Sequence, residues 1–237
     1  MSAHENSSGS SSGMVNAVLR GARRITSSVV RRISRIPDAI PRRILSREEK
    51  AITAQNDIFK DKHKGQRCFV IATGPSLKGQ DIMPLESEIT FVMSGFWKHA
   101  ALDKWQPTYY CLCDPLYFDG SKTMKEFFKS VTDRSGRSTF FAPLFARQTI
   151  TEQQLLPTAQ TYLINLGGEL SDYIADIDFT RQVPYAMTVS QFCLMTAIYM
   201  GCSPIYLLGF DHDWLSHRST HRHFYAGLGG LEAHPEV

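Results

Sequence analysis

The chain has 237 residues, 43% of them apolar and 11% aromatic, with 26 Lys/Arg against 23 Asp/Glu. That is a globular mix and excludes wholesale disorder; no run approaches the ~18 apolar residues of a membrane-spanning helix. Five cysteines, at 68, 111, 113, 193 and 202, are too sparse for a disulfide framework and lack the second pair of a zinc module, so a reducing, cytoplasmic setting is expected. No unbroken apolar core marks a secretory signal.

The net charge of +3 conceals an asymmetry. Residues 14–50 hold ten Arg/Lys and three Asp/Glu, whereas 51–237 hold sixteen and nineteen. The body is mildly acidic and only the leader is basic, so no nucleic-acid partner is expected.

In chain order, residues 1–13 are Ser/Gly-rich and read as a flexible tail. Across 14–36, Val15, Val18, Leu19, Ala22, Ile25, Val29, Ile33 and Ile36 recur at helical spacing with six arginines between them. This is the pattern of a basic amphipathic helix, ended by Pro37 and Pro41. It suits docking on an anionic membrane surface, here the inner face of the membrane, at about 1 kcal/mol per basic residue. A solvated leader or a helix packed on the domain fits the same pattern.

From 51 to 237 the sequence reads as one α/β domain. Strands are expected at Arg67–Thr73, Ile89–Ser94, Thr108–Cys113, Ser138–Pro143, Thr161–Asn165 and Pro204–Phe210. Helices are expected over 121–132 and over Thr188–Met200, the latter capped at Gly201. Short apolar strands alternating with helices predict a Rossmann-like, mostly parallel sheet with helices on both faces.

Ligands of such sheets bind beyond the carboxyl ends of strands. Three polar clusters fall there: Thr73-Gly74-Pro75-Ser76-Leu77, Cys113-Asp114-Pro115 and Asp211-His212-Asp213-Trp214. Gly74 lets a ligand approach the backbone, and free amides at 74–77 would face an anion. Thr73 and Ser76 add hydroxyls. The turn is neither a Walker loop nor G-x-G-x-x-G. Asp114 suits ribose, a metal or a substrate amine, or simply caps a turn. Asp211 and Asp213 can share Mg²⁺, or one can act as a base, or both are solvated. The run 217–225 supplies His217, His221 and His223 as general-base candidates, Arg218 and Arg222 for phosphate, and Tyr225 as a donor or packing residue.

The segments FVIATGPSLKGQDI, FVMSGFWKHA, PTYYCLCDPLYFD and TVSQFCLMTAIYMGCSPIYLLGFD resemble, in order, the bacterial sialyltransferases of glycosyltransferase family 42. They equally resemble the Rossmann-like group of 6-hydroxymethylpterin diphosphokinase MptE-like proteins, which includes motility accessory and surface-polysaccharide proteins. The resemblance covers roughly 66–225 and implies a GT-A-like nucleotide-binding fold. For the transferases it implies movement of a sialic-acid-like sugar from a CMP-linked donor to a glycan hydroxyl, with no metal in the chemistry.

Carried over residue by residue, the resemblance puts the nucleotide-binding turn at Gly74, Pro75, Ser76 and Leu77. Thr73 and Ser94 stand where the family has Asn, and Asp114-Pro115 where it has Asn-Pro. Asp211 matches. Thr188 and Ser190 fall where hydroxyls line the donor site. Of two phosphate-assisting Tyr, the first falls at Asp213 or Trp214, and the second is replaced by a residue of the Ser216–Thr220 loop or by Tyr225 with a shift. Ala186 replaces a substrate-binding Arg, with Arg181 the nearest candidate, and His221 or His223 serves as the base. The chain ends soon after the last strand, so a fragment or an incomplete lid is expected.

The leading expectation is a glycosyltransferase of cell-surface polysaccharide synthesis, peripheral to the membrane, that takes a nucleotide-sugar donor and a glycan acceptor and uses no cofactor. The alternatives are a Mg²⁺-dependent pterin pyrophosphokinase, with Asp211 and Asp213 on the metal, and a module that binds nucleotide or glycan without turnover.

Overall fold

The computed structural model describes residues 44–168, 177–211 and 223–225. The expected tail and basic leader lie outside them.

The chain folds from α1 (Arg47–Ala54) into β1 (Cys68–Ile71), β2 (Ile89–Met93), β3 (Tyr109–Cys111), α2 (Lys122–Ser135), β4 (Thr139–Pro143), α3 (Arg147–Gln153), β5 (Thr161–Gly168), β6 (Gln182–Pro184), α4 (Val189–Tyr199) and β7 (Ile205–Leu208). The seven strands form one sheet in the order β6-β5-β4-β3-β2-β1-β7, and every pairing is parallel.

Side-chain alternation along the strands makes three layers. Ile71, Val92, Tyr110 and Phe140 point into one core, completed by Met124, Phe127, Phe128 and Val131 of α2. Those four recur at the spacing of one helix face. Val70, Phe91, Tyr109 and Phe141 point into the other, completed by Phe192, Cys193 and Ala197 of α4. Strands buried on both faces read as continuous apolar runs, which is why the sequence betrays them.

The helices start where the sequence caps them. Ser46 and Glu49 close a capping box on α1, and Thr188 and Gln191 close another on α4. Helix α4 ends at Met200, and Gly201 follows with φ +73°, the left-handed residue that stops the helix.

Helix α1 crosses the boundary expected at residue 50 and is tied to α3 by the Arg147–Glu48 ion pair. Strand β5 runs three residues beyond the expected Asn165, with a register irregularity between Leu166 and Gly168 against β6. The β1–β2 and β2–β3 connections are short 3-10 turns.

Strands β1 to β6 are added in sequence on one side, and β7 returns to the far side of β1. The strand order therefore reverses between β1 and β7, and a crevice at the carboxyl ends of the strands beside such a reversal is where open α/β sheets take ligands. Among the described residues no helix is long and apolar enough to cross a membrane.

Candidate functional site

Strand β1 delivers Thr73 to the carboxyl edge, buried at 8% exposure. Residues 223–225, distant in sequence, lie over it. Phe224 N–H donates to Thr73 O at 2.9 Å, and His223 Nδ1 meets Thr73 Oγ1 at 3.1 Å. The His223 and Tyr225 rings stack at 4.8 Å, 12° from parallel. Phe224 packs edge-on against His99 at 5.0 Å and Phe96 at 6.2 Å.

Tyr225 covers the start of the turn after β2. A Cβ on Gly95 would collide with the Tyr225 hydroxyl and ring, so only glycine admits this approach. Burial pushes the Tyr225 phenol up to about 12, partly opposed by a hydrogen bond with Thr73. It therefore keeps its proton at neutral pH and remains a donor.

Ser94, just before Gly95, has φ +50°, a strained conformation for a residue with a side chain, costing on the order of 1–3 kcal/mol. It is held by the Tyr110 hydroxyl, which donates to Ser94 O at 2.6 Å and accepts from Trp97 N–H at 3.1 Å. The Ser94 side chain also hydrogen-bonds Tyr117, whose phenol burial raises well above the usual range. Tyr185, after β6, is raised by burial and by its neighbours Cys113 and Asp114. The carboxyl ends of β1, β2 and β3 thus carry hydroxyls of Thr, Ser and protonated Tyr, together with His223.

The turn at 74–77 differs from expectation. Its amides are not open to a ligand: Gly74 N–H donates to Gly209 O at 2.9 Å, and Leu77 N–H to Gly74 O at 3.2 Å. Ser76 N–H and Oγ–H both donate to Asp211 Oδ2, at 3.3 and 3.0 Å. Pro75 has no N–H to offer. The close approach that Gly74 permits is made by protein: a Cβ there would collide with the Asp211 carboxylate and the Gly209 carbonyl. Asp211 stands where the sequence placed an anion. The turn is a five-residue 3-10 helix with Pro75 at its start and Leu77 buried beneath it.

Asp114 accepts from Leu116 N–H at 3.0 Å and so caps its own turn. Asp114 follows β3 and Asp211 follows β7, three strand positions apart, or roughly 14 Å at the usual inter-strand spacing. They do not converge on one cation; Asp213, the residue expected to share Mg²⁺ with Asp211, lies outside the described residues. Among the described residues no three His, Cys, Asp or Glu side chains gather as a metal cluster. The expected donor-site hydroxyl of Thr188 accepts from Gln191 N–H at 3.2 Å as the cap of α4, and Ser190 Oγ contacts Met93 Sδ at 3.5 Å. Asp213, Arg218, His221 and Arg222 lie outside the described residues, and Arg181 pairs with Asp178.

Lys98, His99, Tyr117 and Tyr185 belong to this edge although the sequence reading passed over them. Tyr117 stands three residues after Asp114, a spacing that returns a side chain to the same side of a 3-10 turn. Nothing local to Tyr185 or His99 announces their position. A cavity of 470 Å³, lined by Glu49, Phe145, Arg147 and Gln148 among others, opens beside the end of β4 and α1.

No protein-family model and no curated protein matches the chain. Among solved structures, it is similar to the MAf glycosyltransferase from Magnetospirillum magneticum AMB-1, at 16% identity and a TM-score of 0.42 over 68% of this chain. The chain spans about a quarter of that protein, 27% of its length.

Proposed function

We propose that the carboxyl edge of β1–β3 binds a nucleotide-activated sugar and transfers the sugar to an acceptor hydroxyl. The observation that carries this reading is the meeting of His223 with Thr73 and Tyr225, a base candidate and a protonated donor on a floor of hydroxyls. The order of the turn, strand and Asp segments that resembles family 42 supports a CMP-linked donor.

In this reading His223 Nδ1–H donates to Thr73 Oγ1, and Nε2 takes the proton of the acceptor hydroxyl. The acceptor oxygen bonds to the anomeric carbon, the bond from that carbon to the phosphate oxygen breaks, and its electron pair leaves with the nucleotide. Tyr225 donates to the departing phosphate without losing its proton. General-base catalysis of this kind supplies about 10²–10⁴-fold, and a preorganised donor at the leaving charge adds to it.

The pyrophosphokinase alternative needs carboxylates gathered around Mg²⁺–ATP; Asp211 is engaged by Ser76 of the 74–77 turn and Asp114 caps its own turn. Thermal unfolding of the full chain with CMP, CDP, UDP and ATP, with and without Mg²⁺, separates the readings. A ligand at 100 times its Kd stabilises by about 2.7 kcal/mol, a Tm rise of roughly 5–11 °C for a domain of this size. The expected result is that rise with a cytidine nucleotide in the absence of metal. A rise only with ATP and Mg²⁺ favours the kinase, and no rise with any nucleotide overturns the donor site.

A further inference from the structure

The turn after β2 ends in a lysine that the residue-by-residue reading leaves without a role. Lys98 closes the 3-10 turn Ser94–Lys98. Its ammonium lies 4.6 Å from the centre of the Tyr225 ring and 5.4 Å from that of Trp97. It is half-buried, whereas Lys78, at the neighbouring turn, is exposed. Lys64, Lys122 and Lys129 each pair with a carboxylate. Among the described residues no carboxylate pairs with Lys98; the nearby Asp103 is taken by Arg134.

An ammonium drawn out of water and left on aromatic faces recovers part of its hydration through the ring quadrupoles, on the order of 0.5–2 kcal/mol. The remaining cost shows in its pKa, which burial lowers from 10.5. A phosphate oxygen would restore what burial removes, through a charge-assisted hydrogen bond. The ring beneath the ammonium belongs to Tyr225, the residue whose hydroxyl faces Gly95 and whose other neighbour is His223. Cation, phenol and imidazole are therefore mutually arranged by one ring. The amides of the 74–77 turn, by contrast, are bonded to protein.

We infer that Lys98 receives the phosphate of the nucleotide donor and that the anion-binding role expected of the 74–77 turn falls to the end of β2. This rests on the donor reading above and names the residue that holds the donor's charge.

Calorimetric titration of the full chain with CMP and with cytidine tests it, in wild type, Lys98→Met and Lys98→Arg. Methionine keeps the aliphatic cover over the Tyr225 ring and removes the charge. The expected result is a CMP affinity roughly 10- to 100-fold weaker in Lys98→Met, the range of a hydrogen bond to a charged group. Cytidine affinity should be unchanged, and CMP binding largely retained in Lys98→Arg. Equal CMP affinity in Lys98→Met and wild type overturns the inference while leaving the donor site standing. Equal loss of CMP and cytidine also overturns it, because Lys98 would then support the site's shape and not bind phosphate. A wild-type chain that binds neither overturns the donor reading and the inference with it.

Discussion

At the amino end of the sheet the chain closes on itself through its backbone: Asp61 N–H donates to Tyr199 O, His63 N–H to Met200 O, Gly65 N–H to Gly201 O and Ser203 N–H to Gln66 O. At the carboxyl end, backbone bonds such as Phe224 N–H to Thr73 O are joined by contacts between side chains, with Thr73 on His223, Ser94 on Tyr117, Ser76 on Asp211 and Lys98 over Tyr225. Backbone bonds are indifferent to residue identity, so the first arrangement is scaffold. Side-chain contacts between polar groups can be exchanged for a ligand's, so the second is where binding can occur.

The sharpest way to break this contrast is to change function without stability, and the reverse. His223→Ala should lower glycosyl transfer by about 10²–10⁴-fold while Tm stays within a few degrees of wild type. Transfer at the wild-type rate would remove His223 from the mechanism. Phe192→Ala, in α4 and fully buried, should cost about 3–5 kcal/mol in urea unfolding, and a loss under 1 kcal/mol would mean that α4 is loosely seated.

Gly74→Ala should cost about 1–3 kcal/mol, the usual range for overpacking, because a Cβ meets the Asp211 carboxylate and the Gly209 carbonyl. Adding Asp211→Ala should recover only part of this, since the Gly209 clash is with backbone. Full recovery would show that the carboxylate alone closes the turn.

The smallest expected effect is a pH dependence. His99 Nδ1 accepts from Ala101 N–H, and burial, with the Arg134 charge second, lowers its pKa below 6.5. The unfolded chain therefore takes up this proton first. Stability contributed by neutral His99 is complete above 6.5, falls as pH drops through it, and levels off below the depressed folded value. Thermal unfolding between pH 7.5 and 5.5 should show a smaller decline in His99→Gln than in wild type, and identical declines would contradict the assignment. Because His99 packs on Phe224, the same titration would loosen the segment that carries His223.

Much of the scaffold was legible because burial on both faces writes itself into β1 to β4 as apolar runs; α4 and β7 also read as apolar runs, although Tyr206 and Leu207 of β7 are exposed. β6 escaped because three residues, Gln182–Pro184, are too few to display a pattern. α1 escaped because its sequence, REEKAITA, is mostly polar and its start is set by the Ser46–Glu49 box. Of the candidate site, Thr73, His223 and Tyr225 were found from residue type and place after a strand and Ser94 from the resemblance alone, and the fold brings them together. What the sequence could not express is which hydrogen-bond partner each turn uses. The Gly74–Leu77 amides looked open because nothing local records that Gly209 and Asp211, 135 residues beyond Ser76 in the latter case, return to fill them. Lys98 and Tyr185 were passed over for the same reason, since their neighbours Tyr225 and Asp114 come from other parts of the chain.

The most direct test of the central claim is a crystal structure of the chain grown with CMP. The account expects the nucleotide over the ends of β1 and β2, against Thr73 and Ser94, with its phosphate at Lys98. Nucleotide in the cavity beside Phe145, or at the amino end near His63, would contradict it.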